Sequence, residues 1–186
     1  PQTPGTGGVI LNDVSVLDLD SSTWSRLRAA EDTVEFATVP GGPTSRHVAV
    51  PLSIRSAEGD GDDAGGGIGK NVICLHNHRC EDHVLLLSAS HDGARWERRP
   101  VTGDVPSSRG LHCAAALGDD HMVIFGGAAQ DGNMSNEAFV LDANTWTWTR
   151  IDCGDYGDGV PSPRAGACLC SLDEDTVVLF GGATPG

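Results

Sequence analysis

Short apolar runs separated by polar turns dominate the middle of the chain. The runs at residues 111–117 and 121–125 consist almost entirely of apolar residues, which is typical of strands buried on both faces. A third run covers residues 137–141, and residues 146–151 alternate between apolar and polar positions, as half-buried strands do. The pattern therefore predicts a unit of four short strands joined by polar turns.

Part of this four-stranded unit recurs in the last residues of the sequence, from position 161 onward. Arg109 is repeated as Arg164 and Gly127 as Gly182, with the same step in both cases, and apolar runs lie between the two landmarks in both copies. Landmarks that move by the same interval indicate an internal repeat, which is the signature of solenoids, propellers and arrays. The second copy predicts two strands, at residues 165–170 and 176–180.

The N-terminal part repeats only the second half of the unit. In residues 14–27, Asp18 precedes Trp24 by six residues, which is the spacing between Asp142 and Trp148. Two strands are therefore predicted there.

A more divergent copy lies between these parts. It opens with Arg46 in a Pro-x-x-Arg sequence and carries Trp96 at the tryptophan position. An insertion at residues 56–69, rich in Gly and acidic residues, favours a solvated loop over a calcium site, because it lacks the terminal Glu of an EF-hand. The strands predicted for this copy are residues 47–54, 71–75, 83–89 and 95–99.

The order of these landmarks resembles the Kelch repeat. The resemblance rests on Gly126-Gly127 after the second strand, Asp142 after the third, Trp148 on the fourth, and Gly181-Gly182 in the next copy; Phe139 stands near the place of the family's tyrosine. It implies an all-β fold, a partial Kelch-type β-propeller with one four-stranded blade per repeat. A single domain over residues 1–186 would comprise a half blade at 1–27, a degenerate blade at 43–99, a full blade at 106–151 and a half blade at 161–186.

Strands grouped as two, four, four and two amount to three blades. A propeller needs roughly four to eight blades, so these strands cannot close a ring alone. Either the chain is a piece of a longer propeller, or two copies complement each other's half blades. The second alternative predicts a homodimer with a six-bladed ring, and it is motivated by the need to cover open sheet edges.

The charge of the chain narrows the class of partner. With 12 basic and 26 acidic residues, its net charge is −14. This charge disfavours nucleic acid and anionic membranes, whose phosphates attract Lys and Arg. It permits a basic protein partner, or it serves solubility alone. No apolar run approaches the ~18 residues of a membrane helix, and the first residues do not have the pattern of a signal peptide.

The cysteines and histidines raise the question of a metal site. The six cysteines are too few and too irregularly spaced for a disulfide framework, so we expect a reducing, cytoplasmic location. Cys74-x-His76-x-His78-x-Cys80 contains four possible zinc ligands. On one straight strand they would spread over about 20 Å, too far for a single ion. His76 and His78 remain as candidates only with further ligands from elsewhere, and no cofactor is expected.

Catalytic motifs are missing from the sequence. There is no Gly-x-Ser-x-Gly elbow and no phosphate-binding Gly-x4-Gly-Lys-Ser/Thr loop. The resemblance also brings in a copper-radical oxidase with the Kelch fold, which uses tyrosines at its copper site, but Tyr156 is the only tyrosine here. We therefore expect a non-catalytic protein-interaction module. Part of a Kelch-fold enzyme, or the regulatory half of a multidomain enzyme, is the alternative.

Partner binding is expected at the loops between strands and blades, residues 99–108, 128–136 and 152–163. The arginines that open the first strands either bond loop carbonyls and neighbouring acids or edge a central channel on the ligand face. Acidic residues in the last loop favour a basic peptide. The candidate partner-binding residues are Arg46, Arg109, Arg164, Asp131, Asn133, Asp152, Asp155 and Asp158.

Overall fold

The computed structural model describes residues 9–29, 38–40, 42–54, 70–90, 93–152 and 159–186. Every regular element of these ranges is a β-strand, as the sequence predicts, and no α-helix occurs in them. Contacts divide the chain into two compact units, residues 1–45 with 89–96 and residues 46–88 with 97–186. The fold is all-β and consistent with a partial Kelch propeller. The division into whole and half blades stays a prediction.

The first unit contains an antiparallel hairpin of β1 (Ser15–Asp18) and β2 (Thr23–Arg26). The Asp18 carboxylate closes its turn by accepting hydrogen bonds from the backbone N–H and the hydroxyl of Ser21, both at 2.7 Å. Short polar side chains favour such turns because they bond the backbone locally. All eight strand residues are exposed.

The divergent copy forms a four-stranded sheet in the order β3-β4-β5-β6. Its strand positions agree with the predicted ones to within two residues, and the insertion at 56–69 lies outside the described residues. The strands are β3 (Val48–Ile54), β4 (Lys70–His76), β5 (His83–Ser90) and β6 (Gly93–Pro100).

The central copy forms a five-stranded sheet in the order β7-β11-β10-β9-β8. Its strands are β7 (Thr102–Gly103), β8 (Cys113–Leu117), β9 (His121–Phe125), β10 (Ala138–Asp142) and β11 (Thr147–Ile151).

Four details of this sheet differ from the prediction, the smallest being that β10 covers Ala138–Asp142 instead of 137–141. The outer strand β7, parallel to β11, lies inside the stretch predicted as a loop at 99–108. A Cβ on Gly103 would contact the carbonyl oxygen of Trp148, so this close pairing requires glycine. The first and fourth strands begin later than predicted because Leu111 and Trp146 have positive φ angles of 58° and 56°, which interrupt an extended strand.

The last described elements are β12 (Cys168–Ser171) and β13 (Val177–Phe180), an antiparallel hairpin. Two apolar cores lie within the second unit. One joins β3–β5 to the central sheet around the buried Trp148, Met122 and Leu86. The other joins the central sheet to β12–β13 through residues such as Phe125 and Leu169. Successive sheets therefore pack face to face, as propeller blades do.

Backbone hydrogen bonds connect the segments that precede β3, β8 and β12, each of which is the first strand of its copy of the repeat. Arg46, Leu111 and Gly166 each lie two residues before their strand, and each has a left-handed backbone with φ between 58° and 68°. The N–H of Leu111 donates to the carbonyl of Arg46 at 3.3 Å, and the N–H of Gly166 donates to the carbonyl of Leu111 at 2.8 Å. The repeat is thus visible at the level of single bonds.

Candidate interaction surface

Arg109 lies four residues before β8, at the entry to the central sheet, and is only 3% exposed. Its guanidinium donates to the Gly126 carbonyl at 3.2 Å, to the carbonyl and hydroxyl of Ser107 at 3.1 and 2.9 Å, and to the Glu137 carboxylate at 2.9 Å. It also lies over the ring of Phe139, 5.1 Å from its centroid. The hydrogen bond from Arg109 lowers the pKa of Glu137. Arg109 therefore fixes the strand ends of its own blade.

Arg164 repeats this arrangement in the next copy. Its guanidinium donates to the carbonyl and hydroxyl of Ser162, both at 3.1 Å, and to the Gly181 carbonyl at 3.0 Å. These acceptors stand one repeat after Ser107 and Gly126. Both arginines thus follow the first of the two readings that the sequence left open, in which arginine bonds loop carbonyls.

Arg46 is not the counterpart of these two arginines. It lies two residues before β3, whereas Arg109 and Arg164 lie four residues before β8 and β12. By backbone conformation it occupies the place of Leu111. The Pro-x-x-Arg motif suggested the wrong counterpart, because the segment between the arginine and β3 is two residues shorter than the matching segments before β8 and β12.

The glycine doublets have the conformation that the repeat requires. Gly126 and Gly127 have φ angles of 68° and 95°, and Gly181 and Gly182 have 70° and 91°. A Cβ on Gly127 would lie 2.9 Å from both the Gly110 carbonyl oxygen and the Cβ of His112. Only glycine combines a left-handed backbone with this close approach.

The two candidate histidines of the divergent copy, His76 and His78, lie in different surroundings. His76 is buried, its Nδ1 lies 3.0 Å from Nε2 of His112, and its ring contacts Trp148 edge-on. His78 is half-buried, and its carbonyl accepts the hydroxyl hydrogen bond of Ser108 at 2.7 Å. Within the described part of the chain, no group of three His, Cys, Asp or Glu side chains could hold a metal ion.

Burial controls the chemistry of the histidine pair. It lowers the pKa of His76 to about 3 and that of His112 to about 4, with further lowering from neighbouring positive groups that include Arg109. Both rings are therefore neutral at pH 7. By strand pairing, Val48 lies opposite His76 as Cys113 lies opposite Phe125, so His76 takes the place of a core aromatic residue.

The loop 128–136 and Asp152 leave the central sheet at the same end, because the end of β9, the start of β10 and the end of β11 lie side by side. The stretch 99–108 differs, since its strand β7 pairs with the start of β11 at the opposite end. In the loop 128–136, Gly132 and Asn133 are exposed, and the Asp131 carboxylate accepts hydrogen bonds from the backbone and side-chain N–H groups of Asn133 at 3.0 and 2.7 Å. Asp152 is exposed directly after β11. Asp155 and Asp158 lie outside the described residues. Asp131 and Asn133 thus share one loop tip, but the described residues do not bring them together with the arginines in one site.

A groove at the opposite end of the sheets was not predicted from the sequence. It has a volume of about 930 Å³ and lies between the β8–β9 and β12–β13 hairpin tips. The hydroxyl of Ser171 donates to the carbonyl of Ala116 and connects the two tips. Its walls carry five carboxylates, one imidazole and the apolar side chains of Leu117 and Leu172. The carboxylates belong to Asp119, Asp120, Asp173, Glu174 and Asp175.

Hydrogen bonds lower the pKa of two of these carboxylates, Asp120 and Asp173. A side-chain hydrogen bond from Asn144, at 2.6 Å, lowers the pKa of Asp120, and His121 adds to the effect at 2.6 Å. A backbone N–H from Asp175 likewise lowers the pKa of Asp173. Asp119 and Glu174 are exposed, and among the described residues their carboxylates form no ion pair. These two side chains are free to meet a cation from outside.

The internal repeat is the feature of the sequence from which this groove could have been predicted. Glu174 and Asp175 stand one repeat after Asp119 and Asp120, so each copy places two acids at the same hairpin tip. Because neighbouring blades hold equivalent tips side by side, the repetition turns two local turns into one acidic surface.

Comparison with known proteins settles the family. A family model for the Kelch-repeats domain of KLHDC2/KLHL20/DRC7 matches residues 65–186, more than half of the chain. The chain belongs to the Kelch-repeat family. Kelch-repeat domains are in general non-catalytic folds that bind proteins. In the described ranges, this Kelch-repeat chain has no helix long and apolar enough to cross a membrane.

Several plant proteins are similar to this Kelch-repeat chain. Adagio protein 3 of Arabidopsis thaliana is 28% identical over 185 residues, which cover 95% of this chain and 27% of that protein. Acyl-CoA-binding domain-containing protein 4 of the same plant is 28% identical over 176 residues, covering 93% and 23%. The F-box/kelch-repeat protein At1g51550, also from Arabidopsis thaliana, is 31% identical over 100 residues, covering 50% and 20%. The chain thus spans about a quarter of the length of the first two relatives.

Proposed function

We propose that this chain is a non-catalytic protein-interaction module that binds a basic peptide segment in the acidic groove between the β8–β9 and β12–β13 tips. The observation that carries the proposal is the groove itself, where five carboxylates face one imidazole. Among the residues that the structure describes, no Lys or Arg lines it. A lysine- or arginine-rich segment would therefore meet complementary charge along the groove.

The shape of the groove supports a peptide more than a single ion. Its volume of about 930 Å³ is the size of sites that take extended ligands or several side chains. Leu117 and Leu172 give it apolar walls, and Leu172 is exposed. Aliphatic stems of Lys and Arg pack against such surfaces while their charged heads reach the carboxylates.

The loop end of the sheets is the second candidate for the same function. Asp131, Asn133 and Asp152 lie there, and Asp155 and Asp158 follow in sequence. The observation in its favour is the exposed tip of the loop 128–136. Because the two ends point in opposite directions, substitutions can separate them.

The test is binding of a fluorescent oligo-lysine peptide, measured by anisotropy at low and high salt. We expect Asp119→Lys with Glu174→Lys to weaken binding at least about tenfold, since each reversal turns an attraction into a repulsion. The matched control is Asp131→Asn with Asp152→Asn at the loop end, which should leave the affinity unchanged. Raising the salt concentration should weaken binding of the unmodified chain.

Two outcomes would contradict the groove. If the loop-end variant loses binding while the tip variant keeps it, the partner surface lies at the loops. If the unmodified chain does not bind the peptide at low salt, the basic partner itself is wrong.

We also propose a reducing, cytoplasmic location for the module. Cys74, Cys80 and Cys113 are free and buried. Burial raises the pKa of the Cys74 thiol to about 12 and those of Cys80 and Cys113 to about 11, so all three remain protonated and inert. Mass spectrometry of the protein from its native source, after alkylation of free thiols, should find these three cysteines unpaired; a native disulfide at any of them would contradict this location.

A further inference from the structure

The two walls of the acidic groove carry the same side chains in the same order. On the β8–β9 tip, Leu117 is followed two residues later by the exposed Asp119. On the β12–β13 tip, Leu172 is followed two residues later by the exposed Glu174. Leu172 and Glu174 stand one repeat after Leu117 and Asp119. Each tip thus provides one half-site, which consists of a leucine and an exposed carboxylate.

The strands that carry the two half-sites also pair in the same register. Ala116 lies opposite Met122 in the central sheet, and its counterpart Ser171 lies opposite Val177. The same number of residues therefore connects the paired strands on both tips. The half-sites are equivalent in their place on the hairpin as well as in their side chains.

A side-chain hydrogen bond limits the distance between the two tips. The hydroxyl of Ser171 donates to the carbonyl of Ala116. A bond of this kind holds the two Cα atoms within about 8 Å of each other. Asp119 and Glu174 each lie three residues further along the chain, on tips of equal length, so we expect a similar separation between them.

We propose that the groove selects an extended segment with basic residues at alternate positions, an inference that rests on the proposed binding of a basic peptide there. Alternate side chains of an extended chain point in the same direction and lie about 7 Å apart. One lysine or arginine therefore reaches Asp119, and the next but one along the segment reaches Glu174. The residue between them points away from the groove.

Each half-site suits a long basic side chain. The aliphatic stem of lysine or arginine packs on an apolar surface such as a leucine while its charged end reaches a carboxylate. Asp119 and Glu174 form no ion pair within the described ranges, so a ligand does not have to displace an internal cation. The repeat of the protein is thus matched by a two-residue repeat in its ligand.

The test compares two fluorescent peptides of equal length, each made of the same numbers of lysine and serine. In the alternating peptide, lysine occupies every second position over part of the length. In the spaced peptide, lysine occupies every third position, so no two lysines are two residues apart. We expect the alternating peptide to bind about fivefold more tightly at low salt, because it engages both half-sites at once. Anisotropy titrations of the unmodified chain measure both affinities.

Variants of the chain assign this difference to the half-sites. Asp119→Asn and Glu174→Gln should each weaken binding of the alternating peptide about fivefold, because one of its lysines loses a carboxylate. The spaced peptide should lose no more than about twofold, since it uses one half-site at a time and the other remains. Asp131→Asn, in the loop at the other end of the sheets, is the control and should change neither affinity.

The outcomes separate this inference from the proposed function. Equal affinities for the two peptides, or tighter binding of the spaced peptide, would overturn the alternating register and leave basic-peptide binding in the groove intact. A helical ligand would give the second result, because a helix presents residues three or four positions apart on one face. If neither peptide binds at low salt, the proposed function is wrong and this inference falls with it.

Discussion

At the scale of single residues, the buried and half-buried arginines hold the backbone of the fold in place through hydrogen bonds. Arg109 makes the same bonds as Arg164, to the same acceptors one repeat earlier. The sequence showed that the arginines recur, but it could not show which carbonyls they face. That choice depends on the left-handed glycines 17 residues further on, whose carbonyls turn towards the guanidinium.

Replacing Arg109 by Ala should destabilise the protein by about 3 kcal/mol, because the buried Gly126 carbonyl and the Glu137 carboxylate lose their partner. The matched change Arg164→Ala should cost only about 1 kcal/mol, since Arg164 is half-buried and its acceptors can reach water. Urea unfolding followed by fluorescence measures both. Equal losses for the two variants would contradict a framework role set by burial.

The buried histidines predict a stability that depends on pH. Folding keeps His76 and His112 neutral, with pKa values of about 3 and about 4, whereas an unfolded histidine takes up a proton below about 6.5. Their contribution is therefore fully present above pH 6.5 and is lost as the pH falls towards the folded values. Between pH 7 and pH 5 each histidine should cost about 2 kcal/mol of unfolding free energy.

The variant His76→Phe isolates this effect, because Phe is the residue that the repeat places at the same register in the central sheet. It should reduce the loss between pH 7 and pH 5 by about half, as measured by urea unfolding at the two pH values. An unchanged difference would assign the pH dependence to other groups.

At the scale of elements, periodicity and turn residues predicted most strands well. The bounds of β9 were predicted to the residue, because a continuous apolar run ends at a glycine doublet. Two kinds of feature could not be predicted from the sequence. Strand β7 has only two residues, too short for any pattern. The late starts of β8 and β11 come from left-handed backbones at Leu111 and Trp146, bulky residues that rarely adopt this conformation.

The glycine doublet allows a direct test of close approach at an element boundary. Gly127→Ala should cost about 3 kcal/mol, because its Cβ would press on the Gly110 carbonyl and on His112 in addition to the strain of a φ of 95°. Gly132→Ala is the control, since Gly132 has a φ of 88° but no heavy atom within 4 Å of an added Cβ. It should cost only about 1 kcal/mol. Thermal unfolding of the two variants gives the comparison, and similar losses would contradict the steric explanation.

At the scale of the whole molecule, the repeat brings acidic side chains from two hairpin tips together in one groove. The sequence placed candidate acids in the loop after the second strand, with Asp131, and in the loop after the fourth strand, with Asp152, Asp155 and Asp158. The groove at the other end needed the packing of two hairpin tips, each with only a few acids. No property of a single tip identifies it, so this surface emerges only when the copies are side by side.

Hydrogen exchange should report how far the repeats support one another. The amides of β9 and β10, central in the five-stranded sheet and largely buried, should exchange most slowly, because opening them requires disruption of both cores. Those of β1 and β13 should exchange fast in dilute protein, where each strand has only one neighbour among the described strands. Equal exchange rates for β9 and β1 would contradict a stability that is concentrated in the two apolar cores.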